Sequence, residues 1–308
     1  MSIISADRNR YSPPEYDVIK NVNSPIPLVL VTRLSDYVFN EELLSLKDYI
    51  LINMSEFNWD FNWDFSPIFG DGDDRLFDIF KGEEWVKFAK FVEKNPPKLT
   101  FQREILKQDL TDKIKPLSYP CYQPEYKLNS KEEFDARPLD VCHYFGRSSE
   151  ERMIFQGNAY IHASEKGFEI CDNIYYLQGF LNEGKKNIWV STHIPHFARI
   201  PIEQVLQING LSKLALSMPG CGKHCFREGE VPVNSVMVIQ DNDVPYPFEW
   251  VHGINCIRYK GDNPIPAIEQ ALKRDDLYVI YLRGLENIDN YRYPKYSNYI
   301  ENEIKKAL

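Results

Sequence analysis

The sequence lacks the features that would place it in a membrane, in a secretion route or on nucleic acid. None of its apolar runs approaches the roughly 18 residues that a membrane-crossing helix needs, and its polar amino terminus shows no secretion signal. The formal net charge of −9 argues against nucleic acid and anionic membranes as general partners. Its six cysteines show no disulfide spacing and suit a reducing compartment. We therefore expect a soluble, cytoplasmic protein with no membrane span and no nucleic-acid partner.

Two common motifs of nucleotide and metal sites are incomplete. Ser217 occupies the first glycine position of the P-loop pattern Gly-x4-Gly-Lys-Ser/Thr, and His224 occupies its Ser/Thr position. Cys221, His224 and Cys225 could supply part of a zinc site, but no second close pair completes the four ligands. The sequence therefore predicts neither a P-loop nor a metal site, and packed thiols explain the cysteines.

The apolar pattern favours two α/β domains. Residues Pro27–Arg33 and Asp48–Met54 are runs of the length expected for buried parallel strands, with a short helix predicted between them at Asn40–Lys47. Pro116–Arg137 contains several prolines and mixed charge, which is typical of a linker. We predict domains at residues 1–125 and 126–285, with residues 286–308 forming a helix that crosses back to the first domain.

Further elements are predicted in both halves. Residues Glu83–Lys94 carry aromatic side chains at helical spacing, and Leu99–Lys107 is predicted to be a second helix, with Arg103 facing the cleft. The second half is predicted to open with a strand at Leu139–Phe145. The second half is predicted to end in a polar, Tyr-rich tail whose last part is a helix near residues 296–307.

The stretch from Ser212 to Gln240 is the centre of the functional prediction. A short apolar run leads into Gly220 and Gly222, which let the backbone turn sharply and approach a ligand closely. The following residues, Lys223–Val231, are predicted to form a helix whose amino-terminal end favours a phosphate or diphosphate. An ordinary strand–helix unit is the alternative.

Charged residues on that predicted helix fit the same ligand. Lys223 and Arg227 lie four residues apart, so both cations can reach one anion. Glu230 lies three residues further on, at a spacing that suits ribose hydroxyls. Solvated surface charges are the alternative explanation for all three residues.

Two other places are predicted to border the ligand. Gly146 and Arg147 follow the strand at Leu139–Phe145 and precede a Ser-capped helix, which repeats the phosphate-binding geometry; a plain capped helix is the alternative. Asp36 and Glu56 follow the first two predicted strands, and ligands of parallel sheets lie beyond the carboxyl ends of strands.

The stretch SKLALSMPGCGKHCFREGE, followed by VMVIQDND, PFEW and GINCIRY, resembles the carboxyl-terminal half of exostosin-like glycosyltransferases. That pattern is a strand, a Pro-Gly turn, Arg-x-x-Glu on a helix and a hydrophobic strand, and Arg227 and Glu230 match its Arg-x-x-Glu. The stretch RPLDVCHYFGRSSEER is similar to the family's Phe-x-Gly turn followed by Arg152. The similarity covers roughly residues 137–275 and extends to the first 130 residues only in architecture.

The sequence departs from the family in two respects. The chain has neither the membrane anchor nor the Golgi address of animal members, which favours a soluble bacterial or viral relative. A Val-Pro-Val stretch at residues 231–233 also stands where the family has a helix of small residues.

The resemblance implies a GT-B fold, in which two Rossmann-like domains face each other across a cleft. It implies a nucleotide-sugar donor, a UDP-sugar or alternatively a GDP-sugar, bound without a required metal or cofactor, and a glycan or glycoprotein acceptor. The implied roles are Arg227 on the diphosphate and Glu230 on the ribose. The remaining residues of the implied donor site are Gly146, Arg147, Arg152, Gly220, Gly222 and Lys223.

Sugar transfer also needs charge stabilisation and a base. Lys223, Arg227 and Arg147 would stabilise the leaving diphosphate in place of a metal. The resemblance favours inversion, and an inverting enzyme needs a general base on the acceptor side. Glu56 and Asp36 are the candidates, with ordinary loop carboxylates as the alternative.

Two other functions stay open. One is another Rossmann-type sugar-nucleotide enzyme such as an epimerase, although no Gly-x-Gly-x-x-Gly opens the chain and no Tyr-x-x-x-Lys pair is suitably placed. The other is a non-catalytic glycan-binding module, which the repeated Asn-Trp-Asp-Phe of residues 57–65 suggests. That module would leave the glycine turn and Arg-x-x-Glu unexplained.

Overall fold

The structure of the chain is a computed structural model. It describes residues 3–6, 16–31, 38–54, 83–121, 123–124, 129–145, 150–167, 169–171, 177–185, 188–193, 201–219 and 224–308. Among these residues, no helix is long and apolar enough to cross a membrane.

The first half contains a parallel sheet whose described strands lie in the order β1-β2-β3-β4-β5. The three inner strands are buried at every position, because apolar side chains on both faces of a central parallel strand are covered. The strands predicted within Pro27–Arg33 and Asp48–Met54 are confirmed. The strands are β1 (Ile3–Ser5), β2 (Leu28–Val31), β3 (Ile50–Asn53), β4 (Leu99–Gln102) and β5 (Ile114–Pro116).

The prediction of a helix at Leu99–Lys107 is wrong. Its first four residues form β4, which pairs with β3 on one side and with β5 on the other. A short apolar run fits either a strand or a buried helix, and here the two neighbouring strands supply the backbone hydrogen bonds. The short helix predicted at Asn40–Lys47 is a 3-10 helix of residues Glu41–Ser45, which the Asn40 side chain caps.

The second half contains a second parallel sheet, with described strands in the order β11-β10-β9-β6-β8-β7. After β6 the chain builds β7 and β8 on one side and β9 to β11 on the other. Strand β6 is therefore the point at which the strand order reverses, and ligands bind beyond the carboxyl ends at such points. The strands are β6 (Leu139–Phe145), β7 (Glu169–Cys171), β8 (Ile188–His193), β9 (Ser212–Ser217), β10 (Val236–Gln240) and β11 (Ile257–Tyr259).

Some of the helices match the sequence predictions, and others were not predicted. The helices predicted at Glu83–Lys94 and near residues 296–307 are confirmed, whereas α8 lies in the stretch predicted to be polar. Its apolar face buries Ile280, Tyr281 and Ile288 in the core, although charged residues stand between these positions in the sequence. The helices in the described part of the chain are α1 (Tyr16–Ile19), α2 (Glu83–Lys94), α3 (Lys131–Asp135), α4 (Glu150–Lys166), α5 (Leu177–Asn182), α6 (Ile202–Gly210), α7 (Ile265–Leu272), α8 (Leu277–Asp289) and α9 (Lys295–Ala307).

Helix α9 packs against the first half of the chain. The Ser297 hydroxyl donates to the Val18 carbonyl over 2.8 Å, and the Tyr299 hydroxyl donates to the Pro116 carbonyl over 2.9 Å. One cluster of buried apolar residues also includes side chains from both sheets. The two halves thus share a core, while the domain limits at residues 125 and 285 stay predictions.

Candidate functional site

The connection from β9 to β10 is described at Met218 and Pro219 and again from His224 onward, where it contacts the carboxyl end of β4. The prediction of a helix from Lys223 to Val231 is wrong over these residues: a 3-10 helix covers only Phe226–Glu228, followed by turns. The Glu228 side chain accepts from the Cys225 amide, which favours a tight turn, and Pro232 has no amide hydrogen to continue a helix. The helix dipole therefore gives no argument for an anion at this place.

Arg227 and Glu230 lie side by side on this turn. The distance from Arg227 Nη1 to Glu230 Oε2 is 3.5 Å, and the two residues are only 8% and 6% exposed. The pKa of Glu230 is raised, because burial raises it more than the nearby Arg227 lowers it. The turn also contacts the connection between the sheets, because the Cys121 thiol donates to the Gly229 carbonyl over 3.2 Å. The structure thus brings together the two residues of the Arg-x-x-Glu motif at the junction of the two halves.

Arg152 lies near the amino-terminal end of α4 and reaches the same loop. Its Nη2 donates to the Met218 carbonyl just after β9 over 2.9 Å and lies 3.7 Å from the Cys225 sulfur. Arg152 is buried. These contacts hold the two ends of the glycine-rich loop together, so Arg152 supports the loop in addition to any contact with a ligand.

The other residues predicted for the site lie outside the described residues, and their roles stay predictions. They are Asp36, Glu56, Gly146, Arg147, Gly220, Gly222 and Lys223. In the described part of the chain, no group of three or more His, Cys, Asp or Glu side chains is arranged to hold a metal ion.

A buried polar cluster that the sequence does not predict lies beside the turn. We call it the junction cluster, and it consists of side chains from β4's carboxyl end, the connection between the sheets, the turn and the loop after β10. Each of them is buried. Its members are Arg103, Glu104, Ser118, His224, Glu228 and Tyr246.

One side of the junction cluster joins the turn to the first sheet. The His224 amide donates to Glu104 Oε1 over 3.1 Å. Arg103 Nη1 donates to the same oxygen over 3.2 Å and to the His224 carbonyl over 3.3 Å. The guanidinium of Arg103 also donates through Nε to the Met54 carbonyl and stacks over the Tyr119 ring. An ion pair from the first half thus holds the backbone of the turn.

The other side of the cluster surrounds Glu228. Its Oε1 accepts from the Cys225 amide over 3.0 Å and from the Tyr246 hydroxyl over 3.2 Å. Its Oε2 lies 3.5 Å from His224 Nδ1, which lies 3.2 Å from the Ser118 hydroxyl. The rings of His224 and Tyr246 are 4.4 Å apart.

Burial sets the protonation of this cluster. Burial raises the pKa of Glu228 from 4.5 to about 8, and the negative charge of Glu104 contributes to the rise. The hydrogen bonds of Glu228 and the positive charge of Arg103 act in the opposite direction. Burial and the Arg103 cation lower the pKa of His224 well below its ordinary value. Burial and the nearby Glu228 raise the pKa of Tyr246 well above its own. At neutral pH the cluster therefore holds one ion pair, Arg103 with Glu104, beside a protonated Glu228 and a neutral His224.

Comparison with family models and with curated proteins finds no match. Solved structures match in fold, among them apo OtsA with a TM-score of 0.50, 8% identity and coverage of 94% of this chain and 75% of that chain. The fold is GT-B. HepE of Anabaena in complex with UDP has a TM-score of 0.46 at 10% identity and covers 99% of both chains. TarM has a TM-score of 0.43 at 12% identity, and the chain covers only 54% of its length.

Proposed function

We propose that the chain is a glycosyltransferase that moves a sugar from a nucleoside-diphosphate donor to a glycan hydroxyl, with inversion and without a required metal. The observation that carries the proposal is the Arg227–Glu230 pair. It lies in a GT-B fold on the connection that follows the carboxyl end of β9, beside the switch strand β6. Parallel sheets bind ligands at this edge.

The two residues have complementary tasks in this proposal. Arg227 carries the positive charge that a diphosphate needs, and its planar guanidinium can bind two oxygens at once. Glu230 accepts hydrogen bonds from ribose hydroxyls; burial raises the pKa of its carboxyl, and the nearby Arg227 partly offsets that rise. Lys223, Arg147 and the glycine turns would surround the same donor.

Charge stabilisation and proton removal complete the proposed reaction. When the anomeric carbon–oxygen bond breaks, negative charge develops on the leaving diphosphate, and Arg227 stabilises it where water is largely excluded. A carboxylate of the first half, Glu56 or Asp36, removes the proton of the acceptor hydroxyl. General-base catalysis of this kind contributes roughly 10²- to 10⁴-fold to the rate.

Ligand-dependent thermal stability tests the proposal. The melting temperature is measured with UDP, GDP, CMP and NAD in turn, and a ligand at 100 times its Kd stabilises the native state by about 2.7 kcal/mol. We expect UDP or GDP to raise it. Stabilisation by NAD alone would favour the epimerase-like alternative, and no stabilisation by any nucleotide would refute the donor site.

A pair of arginine variants makes the test specific. Arg227→Ala removes the proposed diphosphate ligand, whereas Arg283→Ala removes an exposed cation on α8 that is not one of the predicted donor residues. Loss of the nucleotide response in the first variant only would support the proposal. An equal response in both variants would place the donor elsewhere.

A further inference from the structure

The junction cluster has no part in the chemistry proposed above, yet it is the most deeply buried group of charges beside the turn. Arg103 and Glu104 have fully buried side chains. Removing ions from water is unfavourable unless partners are held in place, and a buried pair that loses one partner is strongly destabilised. A buried cluster of this kind therefore tolerates little displacement of the groups that it binds.

The groups that the cluster binds belong to the turn. Glu104 accepts from the His224 amide, and Glu228 accepts from the Cys225 amide. Arg227 and Glu230 stand directly on either side of Glu228 and Gly229 in the same short turn. The backbone of the turn is thus held at one end by the first sheet while its side chains reach the proposed donor site.

We propose that Glu104 and Glu228 are positioning residues that set the position of Arg227 and Glu230. The Glu104 carboxyl holds the turn of residues 224–230 against the carboxyl end of β4 through the His224 amide, and the Glu228 carboxyl fixes the turn itself through the Cys225 amide and joins it to Tyr246. The contact between the halves and the donor site then form one unit: the first half determines where the donor ligands of the second half stand. The consequence for donor binding rests on the function proposed above, whereas the holding of the turn does not.

A merely stabilising cluster would behave differently. If the cluster only stabilised the fold, its loss would lower the unfolding free energy without changing local opening of the turn or the affinity for a nucleotide. A positioning role requires that loss of the cluster changes both the local opening of the turn and the affinity for a nucleotide while the protein stays folded. Both quantities are measurable while the protein stays native.

Amide hydrogen exchange in the ligand-free protein is the direct test. Glu104→Ala removes the acceptor of the His224 amide, and we expect exchange across residues 224–231 to become at least 10-fold faster. Glu303→Gln is the matched control, because Glu303 pairs with Lys115 over 3.5 Å and also joins the two halves, but away from the turn. The control should leave exchange of the turn unchanged.

UDP affinity, measured by calorimetry, is the second readout. We expect Glu104→Ala to weaken UDP binding at least 5-fold and Glu303→Gln to leave it unchanged. Should Glu104→Ala fail to fold, Glu104→Gln retains an oxygen acceptor without the charge and should give a smaller change of the same sign.

The two readouts separate the two proposals. Unchanged exchange of the turn in the Glu104 variant overturns the positioning role, whatever the affinity. Faster exchange with unchanged UDP affinity overturns the link to Arg227 and Glu230. If wild-type protein binds no nucleotide, the donor assignment fails, and the exchange result alone decides whether the cluster holds the turn.

Discussion

Replacement of Glu228 by glutamine should remove a pH dependence from the stability of the protein. At neutral pH the Glu228 carboxyl keeps its proton, so the amide of Glu228→Gln has nearly the same shape and the same zero charge. The carboxyl sits against Glu104, Arg103, His224 and Tyr246, and none of these changes in the variant. The substitution therefore tests the protonation of one group.

The sign follows from proton binding. In the unfolded chain Glu228 loses its proton near its ordinary pKa of 4.5, whereas the folded protein keeps it until about pH 8. Between these values the folded state binds more protons, so stability due to this group is complete below pH 4.5 and is lost as the pH rises to about 8. One pKa unit corresponds to about 1.4 kcal/mol, so the loss over this window reaches at most about 5 kcal/mol.

Urea unfolding at several pH values between 5 and 8 measures the effect. The difference in unfolding free energy, Glu228→Gln minus wild type, should rise steadily with pH, because other titrating groups act equally in both proteins. Glu303→Gln, which removes a carboxyl outside the junction cluster, is the control. A difference for Glu228→Gln that does not change with pH would mean that Glu228 is already ionised when buried, and the charge assignment of the cluster would be wrong.

Four further outcomes are expected. Arg227→Ala should weaken UDP binding roughly 10- to 100-fold, as expected for a charged hydrogen bond worth about 1.5–3 kcal/mol, measured by calorimetry. Glu56→Gln or Asp36→Asn should lower kcat of sugar transfer roughly 10²-fold or more while UDP affinity stays within a factor of two or so, and a fall in affinity alone would exclude the base role. Gly284→Ala should destabilise by about 1–3 kcal/mol, since its Cβ would stand 2.9 Å from a backbone carbonyl oxygen. Gly157→Ala meets no atom within 4 Å and should instead stabilise α4 by up to about 1 kcal/mol in urea unfolding.

Patterns within a few residues were sufficient for most elements of the fold. The runs that contain β2 and β3 have apolar side chains at successive positions, and α2 has aromatic residues at helical spacing; both patterns depend on local chain geometry. The Arg-x-x-Glu motif is local in the same way. For this reason the sequence alone predicted two parallel α/β halves and a site after β9.

Long-range pairing decided the rest. Residues Leu99–Gln102 form a strand because β3 and β5 lie on either side of them, and no local pattern contains that information. The 3-10 helix at Phe226–Glu228 is short because the buried Glu228 carboxyl accepts a hydrogen bond from the Cys225 amide. Glu104 meets the His224 amide across 120 positions of sequence, so the junction cluster exists only after the two sheets are packed together. The sequence by itself determined which charged side chains the chain offers, and the tertiary structure decided which of them are buried, since burial and partnership of a charge depend on neighbours that only the folded chain brings together.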